Sequence, residues 1–169
     1  MDAVKLEGGR EFAPTVKAIV DAGIPVVGHI GLTPQSAAKL GGYKAQGKDA
    51  AGARKLLDDA RALADAGIFM LTVECIPFKV AKVIAEELPI PITGVGAGPY
   101  IDGQALNMYD MLGLFDRFTP KHGKRFANLS ADILSALETY KSEVEKGIFP
   151  TEENSFTIRE EDLKEAFGG

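Results

Sequence analysis

Lys5 and Glu7 in Val4-Lys5-Leu6-Glu7, His29 in Val26-Val27-Gly28-His29-Ile30, and Glu74 in Leu71-Thr72-Val73-Glu74 stand towards the C-terminal ends of short β-branched runs. These are the residue types that move protons or hold anions and cations. Lys5 and Glu7 are two apart, so the alternation of a strand puts both on one face. By the same rule Glu74 shares a face with Thr72, whereas Cys75 falls with Leu71 and Val73 and is expected to pack against a helix. Taken singly, each signal has a structural reading as well. A carboxylate at a strand end is often a salt-bridge partner or a helix cap, His29 between Gly28 and Ile30 can be a hydrogen-bonded core histidine, and His122 in Lys121-His122-Gly123-Lys124 reads as a solvated loop residue.

The elements that would position these groups alternate in type. Strands are expected over Ala3 to Glu7, Pro25 to Ile30, Phe69 to Ile76 and Pro91 to Val95. Between them Phe12, Val16, Ile19 and Val20, then Ala53, Leu56, Leu57, Ala60, Leu63 and Ala64, then Val80, Val83, Ile84 and Leu88 recur at helical spacing. Strand–helix alternation of this kind builds a parallel sheet. Ala22-Gly23-Ile24-Pro25 and Ala66-Gly67-Ile68-Phe69 share one grammar, in which glycine ends a helix and a strand follows at once. Gly113 to Phe118 can feed a further strand. A long helix should follow, with Ile133, Leu134, Leu137, Tyr140 and Val144 on one face and Gly147 as its stop, and Thr157-Ile158-Arg159-Glu160 matches a capping box for a short last helix. A complete (β/α)8 barrel takes about 250 residues. The 169 residues here hold about five units and begin at a strand, so a barrel lacking its first strands is expected, as one domain over 1–169 with a helical extension from about 129. In barrels the chemistry sits at the C-terminal ends of the strands, where Lys5, Glu7, His29 and Glu74 lie.

Composition narrows the function. With 46% hydrophobic and 25% charged residues the chain can bury a core, and a formal charge of −5 argues against a phosphate-backbone partner. One cysteine cannot form an intrachain disulfide, no secretory signal or membrane span is evident, and a cytoplasmic setting with small-molecule chemistry is expected. Gly94-Val95-Gly96-Ala97-Gly98-Pro99 lacks the third glycine at the spacing a dinucleotide loop requires and is not followed by a convincing helix start. It reads instead as a strand-end turn with positive φ or a close backbone approach to a ligand. Gly41, Gly42 and Gly47 flank Tyr43 and Gln46 in a polar loop long enough to act as a lid.

Five segments in one order, Val4-Lys5-Leu6-Glu7-Gly8-Gly9, Gly28-His29-Ile30-Gly31-Leu32-Thr33-Pro34-Gln35, Gly41-Gly42-Tyr43-Lys44-Ala45-Gln46-Gly47-Lys48, Gly94-Val95-Gly96-Ala97-Gly98 with Asp102-Gly103-Gln104, and Asp110-Met111-Leu112-Gly113, resemble the ketopantoate hydroxymethyltransferase family. The resemblance implies a TIM barrel of the phosphoenolpyruvate/pyruvate type. It also implies a reaction in which a hydroxymethyl group passes from methylene-tetrahydrofolate to α-ketoisovalerate, giving ketopantoate for pantothenate and coenzyme A. A divalent metal, usually magnesium, polarises the ketoacid carbonyl and stabilises the enolate. By position, Glu74 in Thr72-Val73-Glu74-Cys75-Ile76-Pro77 matches the family's proton-abstracting glutamate and Lys5 the lysine that contacts the ketoacid. Glu7 matches the acidic residue at the metal site, and His29 a histidine lining the substrate pocket.

In this family two metal-ligating aspartates lie upstream of the position matched by Val4, so the chain alone is expected to be inactive, with an N-terminal segment supplied in trans or a longer chain needed. The family implies a homo-oligomer. Two other readings carry different expectations: an isocitrate-lyase-like ketoacid enzyme on the same barrel, and a non-catalytic half-barrel serving as a subunit. The Gly96 to Gln104 loop is the expected folate contact.

Overall fold

The computed structural model describes residues 2–168. Five strands form one parallel sheet in the order of the chain: β1 (Val4–Glu7), β2 (Val26–Gly31), β3 (Met70–Glu74), β4 (Ile92–Val95) and β5 (Gly103–Gln104). The first four strands are added one after another with helical crossovers between them, as in a (β/α) barrel wall, and β5 follows β4 through an irregular loop. Helices α1 (Ala13–Asp21), α2 (Ala50–Asp65) and α3 (Phe78–Glu87) make the crossovers, and α4 (Met108–Leu112), α5 (Leu129–Glu145) and α6 (Glu160–Phe167) follow.

Register explains which side chains meet. Val26, Gly28 and Ile30 of β2 lie beside Leu71 and Val73 of β3 and Ile92 of β4 on the helix-covered face. Against them pack Val16 of α1, Leu56, Ala60 and Leu63 of α2, and Ala81 and Ile84 of α3, which repeat at three and four residues and form one buried cluster. Each Leu or Ile so buried contributes ~1.5–3 kcal/mol. Gly28 has no side chain because Leu63, Ile68 and Leu71 occupy the space a Cβ would need, so α2 seats close on the sheet there. The opposite face carries a polar row, Glu7, His29, Thr72 and Thr93, in direct register across four strands. Thr72 and Thr93 are joined by a 3.2 Å hydroxyl–hydroxyl hydrogen bond.

Local signals account for the element ends. Pro14 opens the first turn of α1, and Asp49 caps α2 by accepting from the Gly52 N–H at 2.7 Å. Gly23 and Gly67 take φ of 83° and 97° immediately after α1 and α2, as the shared glycine grammar predicts.

Three expectations are corrected. Gly113 to Phe118 forms no strand, because Gly113 at φ 66° instead closes α4 as its left-handed C-cap. The fifth strand is the two-residue β5, too short for any alternation to show. No capping box stands at Thr157, since α6 starts at Glu160 from Arg159, whose side chain makes no cap hydrogen bond, and the box occurs at Thr151 with Asn154. The apolar stripe of α5 from Ile133 to Val144 is exposed along its length, so its helical periodicity marks a face the described residues do not cover.

Candidate active site

The C-terminal ends of β1, β2 and β3 bring three titratable side chains together. Glu7 closes β1, where its Oε2 accepts the Gln35 N–H at 3.1 Å from the turn after β2. His29 lies beside it in register, and the Gly8 N–H donates to the His29 carbonyl at 2.9 Å, which ties the end of β1 to β2. The His29 ring is 1% exposed, with Nδ1 3.6 Å from Glu7 Oε1 and Nε2 3.2 Å from Glu74 Oε2. Neither ring nitrogen makes a well-aligned hydrogen bond. The imidazole therefore stands between two carboxylates that are themselves only 16% and 17% exposed. Lys5 lies two residues before Glu7 on β1 and is exposed. All four residues expected from sequence thus sit on β1, β2 and β3 as anticipated, with His29 bridging the two acids.

The end of β3 is built by an unusual backbone turn. Cys75 takes φ 50°, left-handed for a residue with a side chain. Three hydrogen bonds hold it: Leu32 N–H to Glu74 O at 2.8 Å, Cys75 N–H to Val95 O at 2.8 Å, and Gln46 N–H to Cys75 O at 3.0 Å. The turn breaks strand alternation, so Cys75 does not pack against a helix as alternation predicts. Its Sγ lies 3.7 Å from His122 Nδ1, and His122 belongs to the site's wall as well as to an exposed loop. Burial first, and the Glu74 charge second, raise the Cys75 pKa, which keeps the thiol protonated.

Beside Glu74 and Cys75 opens a cavity of about 1370 Å³. Its walls come from the glycine loop after β4, the segment 104–110, the segment 115–126 and the loop containing Tyr43 and Lys44. Gly96 and Gly98 have φ of 65° and 84°. A Cβ at Gly96 would stand 2.9 Å from His122 Cβ, and one at Gly98 would collide with Phe78, so the glycines here permit close approach of wall elements. Asp102 is structural, accepting the Ile92 N–H at 2.7 Å, and Gln104 Nε2 donates to the Gly98 carbonyl at 2.8 Å. Lys5, Glu7 and His29 do not line this cavity, whereas Glu74 does. Sequence reading missed the aromatic wall of Phe115, Phe118 and Phe126, because those residues lie in irregular chain with no period to reveal a common face.

The family model for ketopantoate hydroxymethyltransferase matches residues 1–152. The chain belongs to the ketopantoate hydroxymethyltransferase family. Among curated relatives of that family, the 3-methyl-2-oxobutanoate hydroxymethyltransferase of Syntrophomonas wolfei is 58% identical over 161 residues, which is 95% of this chain and 58% of that protein. Proteins of the same name from Moorella thermoacetica and Syntrophobacter fumaroxidans are 56% and 53% identical, covering 92% and 98% of this chain and 58% and 59% of theirs. The chain therefore spans just under three-fifths of the length of the hydroxymethyltransferases it matches. The five-stranded parallel sheet is consistent with part of a (β/α) barrel.

The metal expected from the resemblance needs several hard oxygen ligands. Among the described residues no group of three or more His, Cys, Asp or Glu side chains is arranged to hold an ion. Glu7 offers one carboxylate, already bonded through Oε2 to Gln35, and the His29 ring separates it from Glu74. These residues do not by themselves fit a magnesium site. No helix among the described residues is long and apolar enough to cross a membrane.

Proposed function

We propose that this chain carries the proton-abstracting side of a site that transfers a hydroxymethyl group from methylene-tetrahydrofolate to α-ketoisovalerate, giving ketopantoate. The observation that supports it most directly is the position of Glu74. One side of its carboxylate meets the enclosed His29–Glu7 group, and the other side forms part of the wall of a large open cavity. A base between two substrates needs such a place, because it must reach the C3–H of the ketoacid while the one-carbon donor approaches the same carbon.

In this reading Lys5 attracts the ketoacid carboxylate. Glu74 takes the C3 proton and the C–H electron pair becomes the enolate; C3 bonds to the methylene carbon of the donor, whose two C–N bonds break with their electron pairs passing to the folate nitrogens, one water supplies the hydroxyl oxygen, and ketopantoate and tetrahydrofolate leave. His29 holds Glu74 and Glu7 in fixed relation by lying between them. Glu7 is proposed as one oxygen ligand toward a divalent ion, which would supply Lewis acidity at the carbonyl when bound. The residues described here do not complete that ion's shell, so no step is assigned to it.

Deuterium exchange at C3 of α-ketoisovalerate, followed by proton NMR with magnesium and without folate, tests this. It should be measured on the chain alone and with the N-terminal part of the Syntrophomonas wolfei relative that the chain does not match. Exchange is expected with that part present, and Glu74→Gln should reduce it by about 10²–10⁴, the usual worth of a positioned base. An unchanged rate in the variant would remove Glu74 from the role. Absence of exchange in every arrangement would remove the transferase reading and favour a non-catalytic subunit.

A further inference from the structure

The glycine-flanked loop between β2 and α2 has no part in the chemistry given above, and its two ends are held differently. At the far end Gln46 donates its N–H to the Cys75 carbonyl at 3.0 Å. Gly47, at φ 72°, sits so close to α2 that a Cβ there would collide with the Leu56 side chain. At the near end Gly41 and Gly42 take φ of 74° and 100° in open space. A Cβ at Gly42 would meet nothing within 4 Å, and one at Gly41 only the tip of Lys44, at 3.7 Å. Two successive glycines with free surroundings turn at little steric cost. Between these ends lie Tyr43, Lys44 and Ala45. Among the described residues their hydrogen bonds stay within the loop, from the Lys44 N–H to the Gly42 carbonyl at 3.0 Å and from Gln46 Nε2 to the Lys44 carbonyl at 2.9 Å. Tyr43 is 77% exposed although it belongs to the wall of the cavity beside Glu74, and the same cavity is lined by the exposed rings of Phe118 and Phe126. Large aromatic surface is thus left in water around one opening, where covering it would be favourable.

We propose that residues 42–46 form a strap, hinged at Gly41–Gly42 and pinned at Gln46, that closes Tyr43 over the cavity when a planar ring ligand occupies it. The inference rests on the folate reading given above, which supplies such a ligand. In the open state seen here the Tyr43 ring stands in water. In the closed state it covers the ligand, and apolar area on both is buried. Rotation about the two glycines is enough to swing the strap, because neither carries a side chain and no hydrogen bond from Tyr43, Lys44 or Ala45 to another element has to break. Closing has a chemical use. An enolate open to solvent takes its proton back from water, whereas a covered one keeps its electron pair for the one-carbon unit. The strap therefore favours transfer over idle proton exchange, and without folate it leaves the site open to that exchange.

The sequence contains no tryptophan, so Tyr43→Trp labelled with fluorotryptophan gives a single fluorine NMR resonance at the tip of the strap. The change in its shift between H2O and D2O is large for an exposed ring and small for a covered one. It is measured on the full chain, free and with saturating tetrahydrofolate, and equilibrium dialysis establishes occupancy. The free chain is expected to show the full solvent effect and the occupied chain less than about half of it, as a ring passing from water to a covered face requires. In parallel, Tyr43→Ala should release tetrahydrofolate about tenfold faster while association stays within about twofold, since a cover that closes after entry acts on release. Tyr43 is exposed, so neither substitution removes a core contact. A resonance that stays exposed in the occupied chain would overturn the strap and leave the folate reading intact. So would a resonance already shielded in the free chain, or release from Tyr43→Ala at the original rate. Absence of tetrahydrofolate binding by dialysis would overturn the folate reading, and the strap with it.

Discussion

Gly31 is the last residue of β2 and stands against the backbone that presents Glu74, so Gly31→Ala probes the site's scaffold directly. Its φ of 93° costs an alanine about 1–2 kcal/mol, as for other left-handed backbone. The added Cβ would collide with the Glu74 carbonyl oxygen and lie 2.7 Å from Ile76 Cγ2. That carbonyl cannot retreat freely, because it accepts the Leu32 N–H at 2.8 Å, a bond worth about 1 kcal/mol. Crowding against Ile76, which is 4% exposed, adds ~1–3 kcal/mol. The sum is a loss of ~3–6 kcal/mol. Gly23 supplies the control: its φ is 83° but nothing lies within 4 Å of its would-be Cβ, so Gly23→Ala should lose only the backbone part, ~1–2 kcal/mol. Urea unfolding followed by far-ultraviolet circular dichroism gives both values, read as midpoint shifts at unchanged slope. If the two alanines cost the same, the steric account of β2 against β3 is wrong and only φ matters.

Three further outcomes concern the partly buried Cys75 and the buried Asp59. Since burial and then the Glu74 charge raise the Cys75 pKa above its ordinary 9.0, iodoacetamide should alkylate the folded chain more slowly than the denatured one at about pH 8, and Glu74→Gln should speed the folded reaction. Equal rates in the two folded proteins would contradict the charge effect. The same raised pKa means that the folded state holds the thiol proton more tightly than the unfolded state. Its contribution to stability is therefore complete below about pH 9 and is lost as pH rises beyond it, a decline that Cys75→Ser should remove from the alkaline limb of a stability–pH curve. Asp59 is 3% exposed and accepts both the Arg10 N–H at 3.1 Å and Lys55 Nζ at 2.6 Å. Asp59→Ala should lose ~1–3 kcal/mol through the stranded Arg10 donor, and Asp59→Asn, which keeps an acceptor, clearly less; equal losses in urea melts would show that the backbone bond is not what matters.

The parts of this fold that were legible in sequence are those where periodicity and punctuation agree. α2 announces itself through Leu56, Ala60 and Leu63 and ends at Gly67 in a single conformation, and the four longer strands are β-branched runs. Lys5, Glu7, His29 and Glu74 were findable because they end those runs. What stayed hidden lies where period gives no information. β5 is two residues long, and the segment 113–127 has no regular structure yet supplies Phe115, Phe118 and His122 to the cavity. The bridging place of His29 was also beyond sequence, because β1–β2–β3 register, and not spacing along the chain, sets Glu7 beside it and brings Glu74 to its other nitrogen.

Cys75 shows how a departure from a local rule can organise the site. Alternation would send residue 75 to the helix side and leave Glu74 alone on the polar side. By adopting φ 50° the chain turns immediately after Glu74, and both residues come to line one cavity. Backbone of this kind costs of order 1–3 kcal/mol and persists only where the surroundings over-determine it. Here the surroundings are hydrogen bonds from three different elements, since Leu32 follows β2, Val95 ends β4 and Gln46 belongs to the glycine-flanked loop. The loop that brings Lys44 and Lys48 to the cavity is thus fastened through Gln46 to the residue next to the proposed base.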